Sequence, residues 1–269
     1  MQKNYNYEEL KTKAKQHLAY YHYTKLDSLL HILTSKSFRL SRLELLNDVI
    51  ESERIDSLMR NKIYVACFTY YKKETPPMWN MYAKNSYGIR LMFRDLSFFN
   101  EKDNFYITKN DDFSGSDWEV RFSGIVDTFY TSKLDNIVYP LYPFGEDDAP
   151  VYMPDLLGAV KTKVWDYEKE TRVRCYVDVK QGVSSVDWEA TDKLPKKIGH
   201  MKVIYRYPDF YYVYCSIPED TIKNMKITFS PFMTDTQKNT VIAAVKHYMP
   251  DFNTNNFQNS KLEGKIRVS

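Results

Sequence analysis

Hydrophobic positions in this chain fall into many short runs separated by polar breaks. Leu26, Leu29, Leu30 and Leu33 recur at helical spacing. One apolar stripe of this kind predicts a helix, with Thr24 or Asp27 as its cap. Leu18–Tyr23, Phe38–Ser41, Ile63–Tyr70 and Tyr87–Phe93 are short and rich in aromatic or β-branched residues, so they read as strands. Trp118–Phe129 and Lys226–Phe229 add two more, and Glu170–Val179 alternates like a half-buried strand. Val203–Tyr207 and Phe210–Ser216 read as a strand pair turned at Pro208-Asp209. Leu156, Val160 and Val164 share one face of a predicted helix over Asp155–Val164, and Thr234–Met249 reads as a final amphipathic helix. Pro76-Pro77 breaks the chain before one or two helical turns at Met78–Lys84.

Two segments lie outside this alternation. Tyr7–Ala19 reads as a polar helix on the outside of the fold, and residues 140–155, with the acidic Glu146-Asp147-Asp148, read as a surface loop. The expected organisation is an N-terminal helix over 1–18 and a single domain over 19–269 carrying that loop as an insertion. Strands and helices mix without regular βαβ alternation, which favours an α+β fold over a doubly wound sheet.

Composition narrows the function classes. The chain has 269 residues with 43% hydrophobic and 27% charged, enough apolar material for a sizeable core. A net charge of +3 is too balanced to indicate a nucleic-acid protein by itself. Tyrosine is abundant at 23 and glycine scarce at 8, which leaves little room for a Gly-rich phosphate loop. No dinucleotide or P-loop fingerprint, zinc-protease motif or nucleophile elbow occurs. Cys67, Cys175 and Cys215 make no metal-ligand spacing, and no two of the five histidines stand at such spacing in one element. The expectation is therefore no metal and reduced thiols. No apolar leader and no membrane-length apolar run is present in this sequence, so the expected location is the cytoplasm, with no membrane partner.

Five places could carry chemistry. In Trp165–Arg172, residues two apart share a face if the segment enters a strand, aligning Glu168, Glu170 and Arg172. Neighbouring carboxylates repel, so one holds its proton to higher pH unless Arg172 neutralises the pair. Taken alone, the group reads first as an exposed charged strand face. His22, at the end of an aromatic strand, could bond a ligand hydroxyl or simply a backbone carbonyl; His31, inside a helix, has less claim. Trp79 and Tyr82 lie on one side of a helical turn, as a stacking wall or as core. Asn47-Asp48 with Glu51 reads as a turn and helix cap. Lys193, Lys196, Lys197, Lys202 and Arg206, interleaved with tyrosines, could follow a phosphate backbone, although a solvated surface is the simpler reading.

The order of these motifs is more specific than any one of them. His-Tyr-Thr at 22–24, Phe-Arg-Leu-Ser at 38–41, Asn-Asp…Glu at 47–51, Cys-Phe-Thr at 67–69, Met-Trp…Tyr-Ala at 78–83, Gly88 and Trp-x-Tyr-Glu-Lys-Glu-x-Arg at 165–172 follow in sequence. Over about residues 19–175 this resembles a bacterial domain family of unknown function. Val49 stands where that family's pattern has proline, and Thr69 where it has serine. The family is in turn similar to the histidine-type branch of the ADP-ribosyltransferase superfamily.

That resemblance implies a split, strongly bent, mixed or antiparallel sheet flanked by helices, with NAD as substrate in the cleft between its halves. It implies Glu170 as the catalytic carboxylate, His22 as the ribose-binding residue that completes the catalytic pair, and Tyr82 as the ring stacked on nicotinamide, with Trp79 as its alternative. Tyr23, Thr24, Ser41 and Asn47 would line the cleft. A carboxylate facing the charge that develops on the ribose as nicotinamide leaves would favour the transition state. The implied function is transfer of ADP-ribose from NAD to a macromolecular acceptor, nucleic acid or protein. The implied setting is a toxin or phage-defence effector, with an antitoxin or immunity partner. An NAD glycohydrolase and a non-catalytic nucleotide or nucleic-acid binding module are the alternatives.

Overall fold

The aromatic and β-branched runs pair into one large sheet, and the leucine stripe covers it. The computed structural model describes residues 16–53, 55, 57–83, 87–101, 104–107, 117–132, 141–144, 149–152, 157–180, 186–190, 201–206 and 208–266. The first part contributes β1 (Tyr20–Lys25), α1 (Leu26–Ser35), β2 (Ser37–Arg42), the short helices α2 (Val49–Glu53) and α3 (Ser57–Arg60), and β3 (Ile63–Thr69). Next come α4 (Pro76–Tyr82), β4 (Gly88–Phe93), β5 (Phe105–Tyr106), β6 (Trp118–Asp127), β7 (Phe129–Thr131), β8 (Leu141–Phe144), β9 (Ala149–Tyr152) and β10 (Val160–Thr162). The last part holds β11 (Glu170–Val179), β12 (Val186–Ala190), β13 (Met201–Tyr205), β14 (Tyr212–Ser216), α5 (Glu219–Asn224), β15 (Lys226–Phe229), α6 (Asp235–Tyr248) and β16 (Phe257–Gln258).

The fold is α+β, with a ten-stranded mixed sheet among the described residues. β3 organises it. One edge of β3 pairs with β11 from Thr69–Glu170 to Ile63–Tyr176, and β6 pairs beyond β11. The opposite edge is shared: β1 meets it at Tyr21–Thr69, and β2 meets it at Ser41–Val65 and Arg42–Tyr64. The sheet therefore divides on β3. One arm runs β1, β4, β15, β16, and the other runs β2, β14, β5. Among the described residues, β15–β16 is the one parallel pairing in the main sheet.

Alternation sends Tyr64, Ala66 and Phe68 of β3, Val173 and Cys175 of β11 and Leu91 of β4 to one face. There Leu29 and Leu33 of α1 and Val241 and Val245 of α6 bury them. Thr234 starts α6 with a capping box, its hydroxyl accepting from the Gln237 N–H while the Gln237 side chain accepts from the Thr234 N–H. The other face carries Ile63, Val65 and Cys67 against Leu43 and Leu157.

Several expectations are corrected. The N-cap of α1 is Lys25, with no side-chain cap bond; Thr24 stands one residue earlier, within β1, and Asp27 only adds a negative charge in the first turn. The helix expected over Asp155–Val164 does not form. Gly158 turns at φ 71°, Val160–Thr162 pairs in parallel with Phe129–Thr131, and Lys163–Glu168 closes as a 3-10 helix. Tertiary pairing overrides the four-residue spacing of Leu156, Val160 and Val164. The strand pair expected across Pro208-Asp209 is also not made: β13 pairs with β12, while β14 pairs with β2 and β5. The connecting carbonyls are tied to the main sheet, Pro208 accepting from Arg42 Nη1 at 3.2 Å and Phe210 from the Tyr64 hydroxyl at 2.7 Å. Within 140–155, β8 and β9 form an antiparallel hairpin instead of a loop. The expected N-terminal helix falls mostly outside the described residues, and 16–19 are not helical.

Candidate functional site

The division of the sheet leaves the carbonyl of Cys67 between the rungs made by β1 and β2. His22 fills the place: its Nδ1 lies 2.8 Å from that oxygen. A carbonyl only accepts, so Nδ1 carries the proton and Nε2 keeps its lone pair. Burial lowers the His22 pKa to about 4, with the Arg39 charge adding to the effect and the Cys67 bond opposing it. The imidazole is neutral at pH 7. Phe38 packs edge-on against it, with ring centroids 4.9 Å apart.

Glu168 and Glu170 approach from the far edge of β3. The 3-10 helix ends at Lys169, which takes the left-handed conformation at φ 45° and separates the two carboxylates. Its carbonyl accepts from the Tyr70 N–H at 3.1 Å and the Thr69 hydroxyl at 3.2 Å, fixing the turn to β3. Glu170 pairs with Thr69 and Thr69 with Tyr21, so the Glu170 side chain lies on the face opposite His22. The two meet through the gap. A pocket of about 70 Å³ is lined by His22, Tyr82, Cys67, Glu168 and Glu170 among others.

Glu51, Lys161, Glu168, Glu170 and Arg172 form a cluster in which each residue is at most 4% exposed. Lys161 Nζ is 2.6 Å from Glu168 and 3.3 Å from Glu170. Arg172 Nε is 3.0 Å from Glu170, and Arg172 makes a fork-like double bond to Glu51. Tyr82 donates its hydroxyl to the other oxygen of Glu168. The two neighbouring carboxylates are pushed apart in acidity. Burial, then the Glu170 charge, raises Glu168 against the pull of Lys161. Burial also opposes ionisation of Glu170, but Arg172 and Lys161 together outweigh it and hold its pKa below the ordinary value. Burial and Glu168 push the Tyr82 hydroxyl well up. The site thus holds an anion at Glu170, a neutral acceptor at His22 and the aromatic ring of Tyr82 in one pocket.

A larger cleft of about 510 Å³ adjoins this pocket, sharing His22, Tyr23 and Tyr82 with it. It runs between β1, α1 and β2 past Thr24, Arg39 and Ser41.

Residues 78–173 match a family described as Protein of unknown function (DUF2971). That span includes Tyr82, Lys161, Glu168 and Glu170; His22 and Ser41 precede it. No curated protein and no solved structure matches the chain.

The structure brings most of the sequence-marked residues together. His22, Tyr23, Thr24, Ser41 and Tyr82 line the cleft, and Glu170 lines the pocket beside it. Asn47 does not join them: it is exposed, at the bend after the 3-10 turn Leu43–Leu45. Trp79 is fully buried, packs edge-on against Tyr23 at 4.8 Å and donates its indole N–H to Glu74 at 3.0 Å, so it is core and not a free stacking face. The Glu168–Arg172 group is not an exposed strand face. The turn before β10 covers it, with the Gly158 carbonyl accepting from Arg172 Nη1 at 2.8 Å and that of Leu157 from Arg174 Nη1 at 3.0 Å.

Lys161, Tyr130 and Arg39 escaped sequence reasoning. Lys161 enters through the parallel β7–β10 pairing, which no local pattern signals. The Tyr130 hydroxyl accepts from the Glu170 N–H at 2.8 Å. His31, set aside as a helix residue, lines the large cleft. Lys193, Lys196 and Lys197 lie outside the described residues; Arg206 bonds Asp117 at 2.9 Å. Among the described residues no helix is long and apolar enough to cross a membrane, and no cluster of three or more His, Cys, Asp or Glu is placed to hold a metal ion.

Proposed function

We propose that this chain cleaves NAD at the nicotinamide–ribose bond and transfers the ADP-ribosyl group to a macromolecular acceptor. One observation carries the reading: His22, Tyr82 and Glu170, from three separate elements, line a single pocket where the sheet divides. A divided sheet with a histidine, an aromatic residue and a carboxylate at its gap supports the reading that the resemblance to ADP-ribosyltransferases implies. The adjoining cleft has the volume of a small-molecule site.

Each residue has a part suited to its chemistry. Nε2 of neutral His22 accepts a hydrogen bond from a ribose hydroxyl. The Tyr82 ring, anchored through its hydroxyl to Glu168, offers a face to the flat nicotinamide. Ionised Glu170 opposes the positive charge that develops on the ribose. The bond between the anomeric carbon and the ring nitrogen breaks, its electron pair leaving with nicotinamide. The acceptor's oxygen or nitrogen bonds that carbon and releases its proton to solvent.

Nicotinamide release from NAD by the purified chain tests the proposal, with and without cell RNA, DNA and protein fractions. Glu170→Gln is expected to slow release by about 10²-fold or more. Equal release by parent and variant, or no release together with no NAD binding, overturns it. Release with free ADP-ribose as the sole product would make water the acceptor.

A further inference from the structure

The face of the sheet that bears Glu170 continues away from the pocket into a second, larger groove. Glu170, Thr69, Tyr21, Met92 and Lys226 form one cross-strand row through β11, β3, β1, β4 and β15. At about 4.8 Å per strand, the row from Glu170 to Lys226 is roughly 19 Å long. Its far part is the floor of a groove of about 690 Å³, and Tyr21 lines both this groove and the pocket that holds Glu170.

The groove is cationic. Arg90, Arg94, Lys226, Lys72 and Lys261 line it against one acid, Glu74. Glu74 is already occupied by the Trp79 indole, the Ser260 hydroxyl and the Lys261 N–H. Among the described residues, Arg94, Lys226, Lys72 and Lys261 form no ion pair. Arg90 is a separate indication. It is 4% exposed, yet among the described residues no carboxylate forms an ion pair with it. Its Nη2 donates to the carbonyls of Tyr71 and Lys72, its guanidinium lies 3.7 Å from the Tyr21 ring centroid, and its Nε has no partner. Held by carbonyls and ring faces, with the Glu74 charge nearby but not bonded to it, this buried cation is incompletely compensated, and an anion in the groove would complete it.

We propose that this groove binds the phosphate backbone of a single-stranded nucleic acid and leads it toward Glu170, which makes that strand the acceptor. The inference rests on the reading of Glu170 given above, since it names the substrate class of the same site. A groove along one sheet face, lined by cations from the sheet and from its connecting segments, suits one extended chain of regularly spaced anions better than a rigid duplex.

Binding of a fluorescein-labelled single-stranded RNA 20-mer to the full chain, followed by anisotropy across a salt series without NAD, tests it. Four solvent-facing cations predict a slope of log K against log salt of about −3. Arg94→Ala combined with Lys226→Ala should lower affinity about tenfold and bring the slope to about −1.4. Lys72→Ala with Lys261→Ala, on the connecting segments, should do the same and guards against misfolding of the strand variant. No binding at low salt, an unchanged slope in both double variants, or equal binding of a duplex or a polyglutamate peptide overturns the proposal. The assay contains no NAD, so a chain that cleaves NAD but fails here loses only its nucleic-acid acceptor. A chain that binds here but never cleaves NAD loses the catalytic reading instead.

Discussion

His22 Nδ1 stands 2.8 Å from the carbonyl oxygen of Cys67, a β3 residue that lies between the rungs to β1 and β2 and is paired by neither. The ring takes the place of a missing strand rung. One contact therefore satisfies the Cys67 carbonyl at the split, fixes the imidazole tautomer and leaves Nε2 with its lone pair. A residue the fold requires is also the one the chemistry would use.

The His22 bond makes acid sensitivity specific. Its pKa is about 4 in the folded chain and near 6.5 unfolded, so between these values the unfolded state holds more protons. This residue's contribution to stability is complete above pH 6.5 and is lost as pH falls toward 4. Urea midpoints at pH 7.0, 5.5 and 4.5 should fall more steeply for the parent than for His22→Gln. Parallel loss in both chains would refute the assignment. In ¹⁵N spectra at pH 7 the ring should be the neutral, Nδ1-protonated tautomer.

Arg172 joins Glu51 to Glu170 with no exposed surface of its own. Removing one member of a buried ion pair leaves uncompensated charge, typically at a cost of about 3–5 kcal/mol. Arg172→Met should lose stability on that scale in guanidinium unfolding and raise the Glu170 pKa. A loss below about 1 kcal/mol would mean that water already screens the cluster.

The two aromatic residues of α4 should separate by function. Trp79→Phe removes the indole bond to Glu74 from a packed cluster and should cost about 1–3 kcal/mol, with NAD turnover per folded molecule retained. Tyr82→Ala should instead lower turnover about tenfold or more with a smaller effect on melting. The reverse pattern in paired melting and nicotinamide-release assays would exchange their roles.

Gly88 begins β4 directly against the end of α4. A Cβ at this position would lie 2.0 Å from the Ala83 carbonyl oxygen, a rigid backbone atom. Gly88→Ala should cost about 3 kcal/mol or more and reduce soluble yield. A melting curve matching the parent's would show that the α4–β4 junction has room to shift.

Much of this architecture was legible where a segment's pattern agrees with its tertiary surroundings. β1, α1, β3, β4, β11 and α6 are such segments, each readable from period or propensity. Val160 shows the limit, because its spacing from Leu156 and Val164 suits a helix while its backbone pairs with Phe129. At the site, His22 and Glu170 were legible through the order of motifs along the chain. Lys161 was not, because only the parallel β7–β10 pairing carries it to the carboxylates, and the burial of Arg172 depends on a turn that no periodicity encodes.

The unequal pairing of β3 has a mechanical consequence. β11 is laced to it along its whole length, whereas β1 touches it at Tyr21–Thr69 alone. Force applied across the molecule would therefore tear first between β1 and β3. Amides at that seam should exchange with solvent sooner than those between β3 and β11. The fold is weakest along the line where a ligand would enter, so widening its mouth requires breaking one rung and one histidine bond while the rest of the sheet stays intact.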